Sequence, residues 1–324
     1  MRPYFIALLC LWTALFAAAL YLSHQHPQSH WIMTAALPAF LVEASFYLAA
    51  MFEETRAWFA RIRSRRTQGA LLWISALAPY LIVSLPAATF ERNAFYLLAV
   101  LCGVFAFWYV YTPRRLAYDF GFLVIAAAPI VERVFGRIYQ SPGDHLRVDI
   151  LGHLMWIRLG VMALLVLREW DPGPFSLWPD AREWRTGLIY YLAVLVPIVF
   201  VATALHALRF APLQDPWWRV AAIAAGTFFA ILWVVALAEE LFFRGVIERA
   251  LYDHWRSPAL AVVLSAAIFG AAHLWFHQFP DWRRAVVATV LGLACGIGYV
   301  QTGSVRAPMV THALVVATWR VLFK

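Results

Sequence analysis

The sequence predicts an all-α, polytopic transmembrane helix bundle. Of the 324 residues, 63% are hydrophobic and only 14% are charged, and the mean hydropathy is +0.70. A soluble domain is usually about 45–50% apolar and about 25% charged. The three cysteines, Cys10, Cys102 and Cys295, stand singly in apolar runs, which excludes a disulfide framework and a clustered zinc motif. We therefore expect the apolar runs to cross a membrane as helices.

The apolar runs predict ten or eleven spans. A spanning helix needs roughly 20 mostly apolar residues, and the run at 119–131 is too short to span with certainty. The first run lacks a small-residue cleavage site before the polar loop HQHPQSH (24–30), so we interpret it as an uncleaved span. The runs lie near 4–22, 31–52, 71–90, 94–111, 119–131, 149–167, 187–208, 218–243, 258–276, 284–301 and 307–323.

The arginines predict the direction of the spans. The loop after the second run contains RIRSRR (61–66), and the loop after the fourth contains Arg114 and Arg115. The loop between them carries only Glu91 and Arg92. Because basic loops stay in the cytoplasm, we expect a cytoplasmic N-terminus, contacts with the lipid bilayer and no nucleic-acid partner, despite the net charge of +8. The compact loops and the high arginine, alanine and tryptophan content favour a bacterial inner membrane.

One shift in composition divides the chain. The segment WDPGPFSLWPDAREW (170–184) is rich in proline, tryptophan and charge, as an interfacial linker would be. We expect an accessory transmembrane bundle over 1–170, a linker over 171–186 and a second transmembrane domain over 187–324. Polar residues in the first half are interpreted as helix-end or inter-helix hydrogen bonds, with a second polar cluster possible at three of them. These residues are Glu43, Asp119, His153 and Arg158, and the three of the cluster are Asp149, His153 and Arg158.

The segment AEELFFRG (238–245) places charges in an apolar run. On a helix, Glu240 and Arg244 share a face in the favourable order, and Glu239 is rotated by about 100°. A charge at the centre of a bilayer costs roughly 2.5–3.5 kcal/mol, so these residues need partners or water. The alternative is that the helix ends near Leu237 and the charges lie at the cytoplasmic interface.

Two histidines occur in the next apolar runs. His273 lies in IFGAAHLWFH (268–277), after small residues that let helices approach closely, and His312 lies in APMVTHALVVATW (307–319). A hairpin turn near 252–257 would place Glu239 and His273 at similar depth. A buried glutamate with two histidines suits either a general base with polarising partners or a zinc site, although no HExxH is present.

These three motifs together resemble the CAAX protease and bacteriocin-processing family, whose members include intramembrane proteases. EExxxR matches Glu239, Glu240 and Arg244, FxxxH matches Phe269 and His273, and the third histidine matches His312. The resemblance implies an intramembrane endopeptidase in which Glu239 activates water, His273 holds that water and His312 stabilises the oxyanion. Glu240 would join the catalytic group and, with Arg244, brace the helix, while Phe269 has a supporting role.

The sequence departs from the family pattern at Val316, where the family has an asparagine four residues after the histidine. Thr311 or Thr318 could supply a hydroxyl in its place. The departure favours a competing hypothesis, a non-catalytic scaffold or an immunity or binding protein with a degenerate fold. A transporter is disfavoured because no internal repeat is visible. The resemblance implies a membrane-anchored peptide or protein as substrate, and either no cofactor or a zinc ion held by Glu239, His273 and His312.

Overall fold

The structure, a computed structural model, describes residues 1–275 and 279–323, and it is α-helical throughout that part of the chain. No β-strand occurs there, and Phe210 and Phe323 form one isolated antiparallel bridge. The predicted all-α class is confirmed. The helices are α1 Arg2–Gln25, α2 Ile32–Met51, α3 Glu53–Ala60, α4 Arg65–Ser84, α5 Arg92–Tyr111, α6 Leu116–Val131, α7 Val134–Ile138, α8 Asp149–Leu167, α9 Ala181–Ala204, α10 Trp217–Trp255, α11 Pro258–Trp275, α12 Trp282–Thr302 and α13 Arg306–Leu322.

Nine helices of the described residues are long and apolar enough to cross a membrane, and they are α1, α2, α4, α5, α8, α9, α10, α11 and α12. Two further apolar runs of the sequence form shorter helices. The run at 119–131 lies in α6, which has 16 residues, and the run at 307–323 lies in α13, which has 17. The chain is therefore a multi-pass integral membrane protein, in which every spanning backbone satisfies its own hydrogen bonds.

The chain forms two compact units, Met1–Trp170 and Asp171–Lys324. In the first unit, the buried charges are paired. Arg158 donates to Glu43 at 2.7 Å and to the hydroxyl and carbonyl of Ser75, which joins α8 to α2 and α4. Removing one partner of such a pair would leave a buried charge without a counter-ion. The pair therefore fixes how these helices pack.

The polar cluster expected at Asp149, His153 and Arg158 is not present. His153 contacts the backbone carbonyl of Asp149 one turn earlier in α8, at 2.9 Å, and Arg158 bonds to Glu43 instead. The three residues share α8, but their spacings of four and five place Arg158 on another side of the helix.

In the second unit, a group of hydrogen bonds and one ion pair joins the beginnings of α9 and α13. Asp180 and Glu183 form a reciprocal capping box that starts α9 at Ala181. Glu183 also pairs with Arg306, the first residue of α13, at 2.8 Å, and the Arg306 guanidinium donates to the Ser176 hydroxyl at 3.0 Å. Since α13 carries His312, these contacts fix the position of that histidine along α9.

The small residues before His273 allow α11 and α12 to approach closely, as the sequence predicted. A Cβ placed on Gly270 would lie 1.9 Å from the Thr289 hydroxyl and 2.6 Å from the carbonyl oxygen of Ala285. Only glycine fits there without a shift of the backbone. The contact therefore holds the end of α11, and His273 with it, against α12.

We expect Gly270→Ala to lower the free energy of unfolding by roughly 1–3 kcal/mol, the usual cost of overpacking. The matched control is Gly226→Ala in α10, where an added Cβ meets nothing within 4 Å. Alanine is the better helix former, so the control should be neutral or stabilising. Thermal unfolding of both variants in detergent checks this, and equal melting temperatures would contradict the close approach of α11 and α12.

Candidate active site

The helix that carries the acidic motif does not end near Leu237. α10 runs on to Trp255 and has 39 residues, and both Glu240 and Arg244 have fully buried side chains. Glu239 and Glu240 occupy an α-helical turn, Leu237–Glu240, between π-helical segments at Ile231–Ala236 and Leu241–Glu248. π-Helical insertions inside α-helices are frequent at functional sites. The alternative in which the helix ends near Leu237 is therefore wrong.

Glu240 and Arg244 form a buried ion pair, with Arg244 Nη1 at 3.1 Å from Glu240 Oε2. Arg244 Nη2 donates to the carbonyl oxygen of Gly292 in α12 at 2.9 Å. The guanidinium also stacks over the Phe269 ring, 4.8 Å from its centroid. Arg244 thus joins α10 to α11 and α12 and balances the Glu240 charge in a region that water does not reach.

His312 lies between the two glutamates of the motif. Its Nδ1 is 2.8 Å from Glu240 Oε1, and its Nε2 is 3.9 Å from Glu239 Oε2. An ionised carboxylate only accepts hydrogen bonds, so beside ionised Glu240 it is Nδ1 that carries a proton. Glu240 therefore fixes the orientation of the His312 ring and turns Nε2 toward Glu239. Sequence reasoning had paired Glu240 with Arg244 alone and did not foresee this contact.

Phe269 is the apolar centre of the site. Its ring is fully buried and lies 4.7 Å from the His273 ring and 5.9 Å from the His312 ring. His273 Nδ1 is 2.9 Å from the Phe269 carbonyl oxygen. Because a carbonyl only accepts, Nδ1 carries a proton. The Phe269 ring and backbone thereby set the positions of both histidines.

Glu239 differs from Glu240 in exposure. Its side chain is 32% exposed, whereas that of Glu240 is fully buried. Oε2 of Glu239 is nevertheless buried and makes no hydrogen bond within the described residues. A buried polar atom without a partner is costly, and such atoms occur where water, an ion or a substrate completes the site. Glu239 is thus the more accessible acid of the two.

Glu248 is a further buried acid that sequence reasoning missed. Its residue is 2% exposed, and neither carboxylate oxygen makes a hydrogen bond within the described part of the chain. It follows Arg244 by four residues and lies against Gly296, where an added Cβ would be 2.8 Å from Glu248 Oε2. The repeated spacing of four in Glu240, Arg244 and Glu248 was the signal available in the sequence.

The residue that replaces the family's asparagine, Val316, has no polar substitute among the two candidate threonines. Thr311 donates to the carbonyl oxygen of Gly187 in α9 at 2.9 Å. Thr318 forms a hydrogen bond of 2.8 Å with the Tyr191 hydroxyl, also in α9. Both hydroxyls therefore hold α13 against α9, and neither replaces the amide.

The conditional zinc set, Glu239, His273 and His312, is not gathered into a three-ligand group in the described part of the structure. Within residues 1–275 and 279–323, no three His, Cys, Asp or Glu side chains gather closely enough to hold a metal ion. His312 Nδ1 contacts Glu240 and His273 Nδ1 contacts a backbone oxygen, contacts that orient a histidine ring whether or not its Nε2 binds a metal. A structural zinc site needs four convergent ligands, and a catalytic one needs three and a water.

Comparison with known proteins identifies the domain that carries this site. Residues 221–318 match the family model described as type II CAAX prenyl endopeptidase, Rce1-like. The predicted resemblance is thereby confirmed for this segment, which includes all three motifs. The match spans a minority of the 324 residues and leaves the first compact unit outside it. Searches of curated proteins and of solved structures found no match.

Proposed function

We propose that the protein is an intramembrane endopeptidase that hydrolyses a peptide bond with a water molecule activated by Glu239. The observation that carries this proposal is the position of His312 between Glu240, at 2.8 Å, and the partly exposed Glu239, at 3.9 Å. One acid orients the imidazole, and the side chain of the other is 32% exposed. Family membership of residues 221–318 supports proteolysis, and the residue roles are our proposal.

In the first step, Glu239 removes a proton from the water as the water oxygen attacks the carbonyl carbon of the substrate. General-base catalysis of this kind contributes typically 10²–10⁴-fold. We assign the orientation of the water to His273, whose ring is held by the contact of Nδ1 with the Phe269 carbonyl. The product of this step is a tetrahedral intermediate with a negative charge on the former carbonyl oxygen.

The developing oxyanion needs a donor, and we assign that role to His312. A ring that donates from both nitrogens is an imidazolium, and Glu240 stabilises that cation through the contact with Nδ1. Nε2–H then donates to the oxyanion. The intermediate collapses as the C–N bond breaks and Glu239 returns its proton to the leaving amine, which restores the starting protonation states.

The proposed substrate is a membrane-anchored peptide or protein, either of CAAX type or a bacterial processing substrate. A site built from buried residues of candidate spans is reached most directly by a chain that is already held in the bilayer. We propose that the protein lies in a bacterial inner membrane with a cytoplasmic N-terminus, so that the site is used from the cytoplasmic side. A farnesylated CAAX peptide and an unprenylated hydrophobic peptide library, both presented in vesicles, test the two substrate types.

We expect His312→Gln to lower kcat by roughly 10²–10³-fold, the usual effect of losing an oxyanion donor, with little change in KM. The reason is that Nε2–H acts on charge that develops only in the transition state. The control is His254→Gln, an exposed histidine of the same unit. A wild-type kcat in His312→Gln would remove His312 from the mechanism.

The competing proposal is a non-catalytic scaffold or an immunity or binding protein. Val316 and the engagement of Thr311 with Gly187 favour it, because the amide of the family pattern is not replaced. Both peptide types are tested for binding and for cleavage. Binding that requires Glu239 and His312, with no product from either peptide, would support the non-catalytic proposal.

A further inference from the structure

We propose that the first compact unit binds the headgroup phosphate of an anionic glycerophospholipid in a basic cavity at the ends of α2, α4 and α8. The cavity has a volume of about 560 Å³. Its charged lining consists of four arginines and two glutamates, an excess of two positive charges, namely Arg56, Arg61, Arg63, Arg65, Glu53 and Glu169. This inference is independent of the proposed proteolysis.

The cavity lies beside the ends of three candidate membrane spans. α2 ends at Met51, α4 begins at Arg65 and α8 ends at Leu167, and the cavity is lined by residues next to each of these ends. The short helix α3 connects them and exposes Trp58, whose residue is 60% accessible. Tryptophan is enriched at the headgroup level of membranes. The cavity is therefore placed where lipid phosphates lie.

The arginines of the cavity differ in how far they are already neutralised. Glu169 Oε1 is 2.8 Å from Arg65 Nη2, and Arg114 Nη1 donates to Glu169 Oε2 at 2.8 Å. The hydrogen bond from Arg114 holds the pKa of Glu169 below its usual value, so this acid stays ionised and serves both arginines. Arg56 donates to the carbonyl oxygen of Ala50 at 2.9 Å.

Arg61 and Arg63 remain as charges for a ligand. Among the described residues, neither guanidinium has an ion-pair or hydrogen-bond partner, although both line the cavity. A guanidinium presents a planar fork of donors that matches phosphate oxygens. The same cavity has apolar lining from Ile62, Leu165 and Val166, which suits the glycerol and upper acyl carbons of a lipid better than a free phosphate ion.

Native mass spectrometry of the full-length protein in detergent tests this assignment. The protein is incubated with phosphatidylglycerol, with phosphatidylcholine, or with phosphatidylglycerol and excess inorganic phosphate. We expect wild-type protein to retain phosphatidylglycerol in preference to phosphatidylcholine, and inorganic phosphate to compete poorly. Displacement by inorganic phosphate at concentrations equal to those of the lipid would overturn the lipid assignment in favour of a soluble phosphate ligand.

The variants locate the site. The double variant Arg61→Ala with Arg63→Ala should bind phosphatidylglycerol roughly tenfold or more weakly than wild type. Each arginine near an anionic surface strengthens the affinity by slightly less than about tenfold. Arg66→Ala is the matched control, from the same RIRSRR segment but outside the cavity lining, and it should retain lipid as wild type does. Arg61→Gln with Arg63→Gln repeats the test with larger side chains. Equal retention by the double variants and wild type, or an equal loss in Arg66→Ala, would overturn the proposal.

Discussion

Glu239→Gln is expected to abolish peptide cleavage, with a loss of at least about 10³-fold in kcat, while the variant folds and inserts normally. The carboxamide has nearly the same shape as the carboxylate, but it cannot take a proton from water. Glu239 is also outside the buried Glu240–Arg244 pair and is 32% exposed, so the substitution leaves no buried charge without a partner. The melting temperature should therefore stay within a degree or two of wild type.

The measurement is single-turnover cleavage of the farnesylated CAAX peptide and of the hydrophobic peptide library by purified protein, with products identified by mass spectrometry. The matched control is Asp253→Asn, an exposed acid of the same helix that should cleave as wild type does. A Glu239→Gln variant that turns over at the wild-type rate would assign the base to another residue. Loss of activity with a collapse in the melting temperature would point to a structural role for Glu239 instead.

Arg244→Ala is expected to have the largest effect on stability, a loss of about 3–5 kcal/mol in the free energy of unfolding. The substitution leaves Glu240 buried without its cation and removes the hydrogen bond to the Gly292 carbonyl and the stacking on Phe269. Among the described residues, Glu240 would retain only His312 as a partner. The yield of inserted protein should fall together with the melting temperature.

The same helix provides a matched control for this prediction. Asp215 and Arg219 form an acid–arginine pair with the same spacing of four, at 3.0 Å, but the Arg219 side chain is 62% exposed. An exposed pair contributes about 0–1 kcal/mol, so Arg219→Ala should change the melting temperature little. If Arg244→Ala and Arg219→Ala had equally small effects, the burial of the motif in α10 would be contradicted.

Much of the fold could be predicted because a bilayer restricts a spanning chain to helices. The long apolar runs became the spanning-length helices, and the proximity of α11 and α12 followed from Gly270 in a run of small residues. The turn predicted near 252–257 agrees with the end of α10 at Trp255. Local composition also allowed an end near the charges, and the sequence alone could not show that Arg244 is buried with a hydrogen bond to the Gly292 carbonyl.

In the candidate site, too, local contacts could be predicted from the sequence and contacts between distant helices could not. The pairing of Glu240 with Arg244 follows from a spacing of four on one helix, which is a local property. The contact between His312 and Glu240 joins residues that are 72 apart in sequence, and it depends on how α13 packs beside α10. The motifs could therefore indicate which residues take part, but only the packing shows that Glu240 orients His312. The burial of Glu248 depends on Gly296 of α12 and was hidden for the same reason.

The central claim, hydrolysis by a glutamate-activated water without a metal, is tested most directly by cleavage in H₂¹⁸O with the zinc content measured on the same chelator-free sample. We predict one ¹⁸O atom in the new carboxyl terminus of the product, a zinc content well below one per chain and a cleavage rate that does not depend on that content. The contradicting result is a rate that rises in proportion to bound zinc up to one per chain, with both zinc and activity lost in His273→Ala and in His312→Ala.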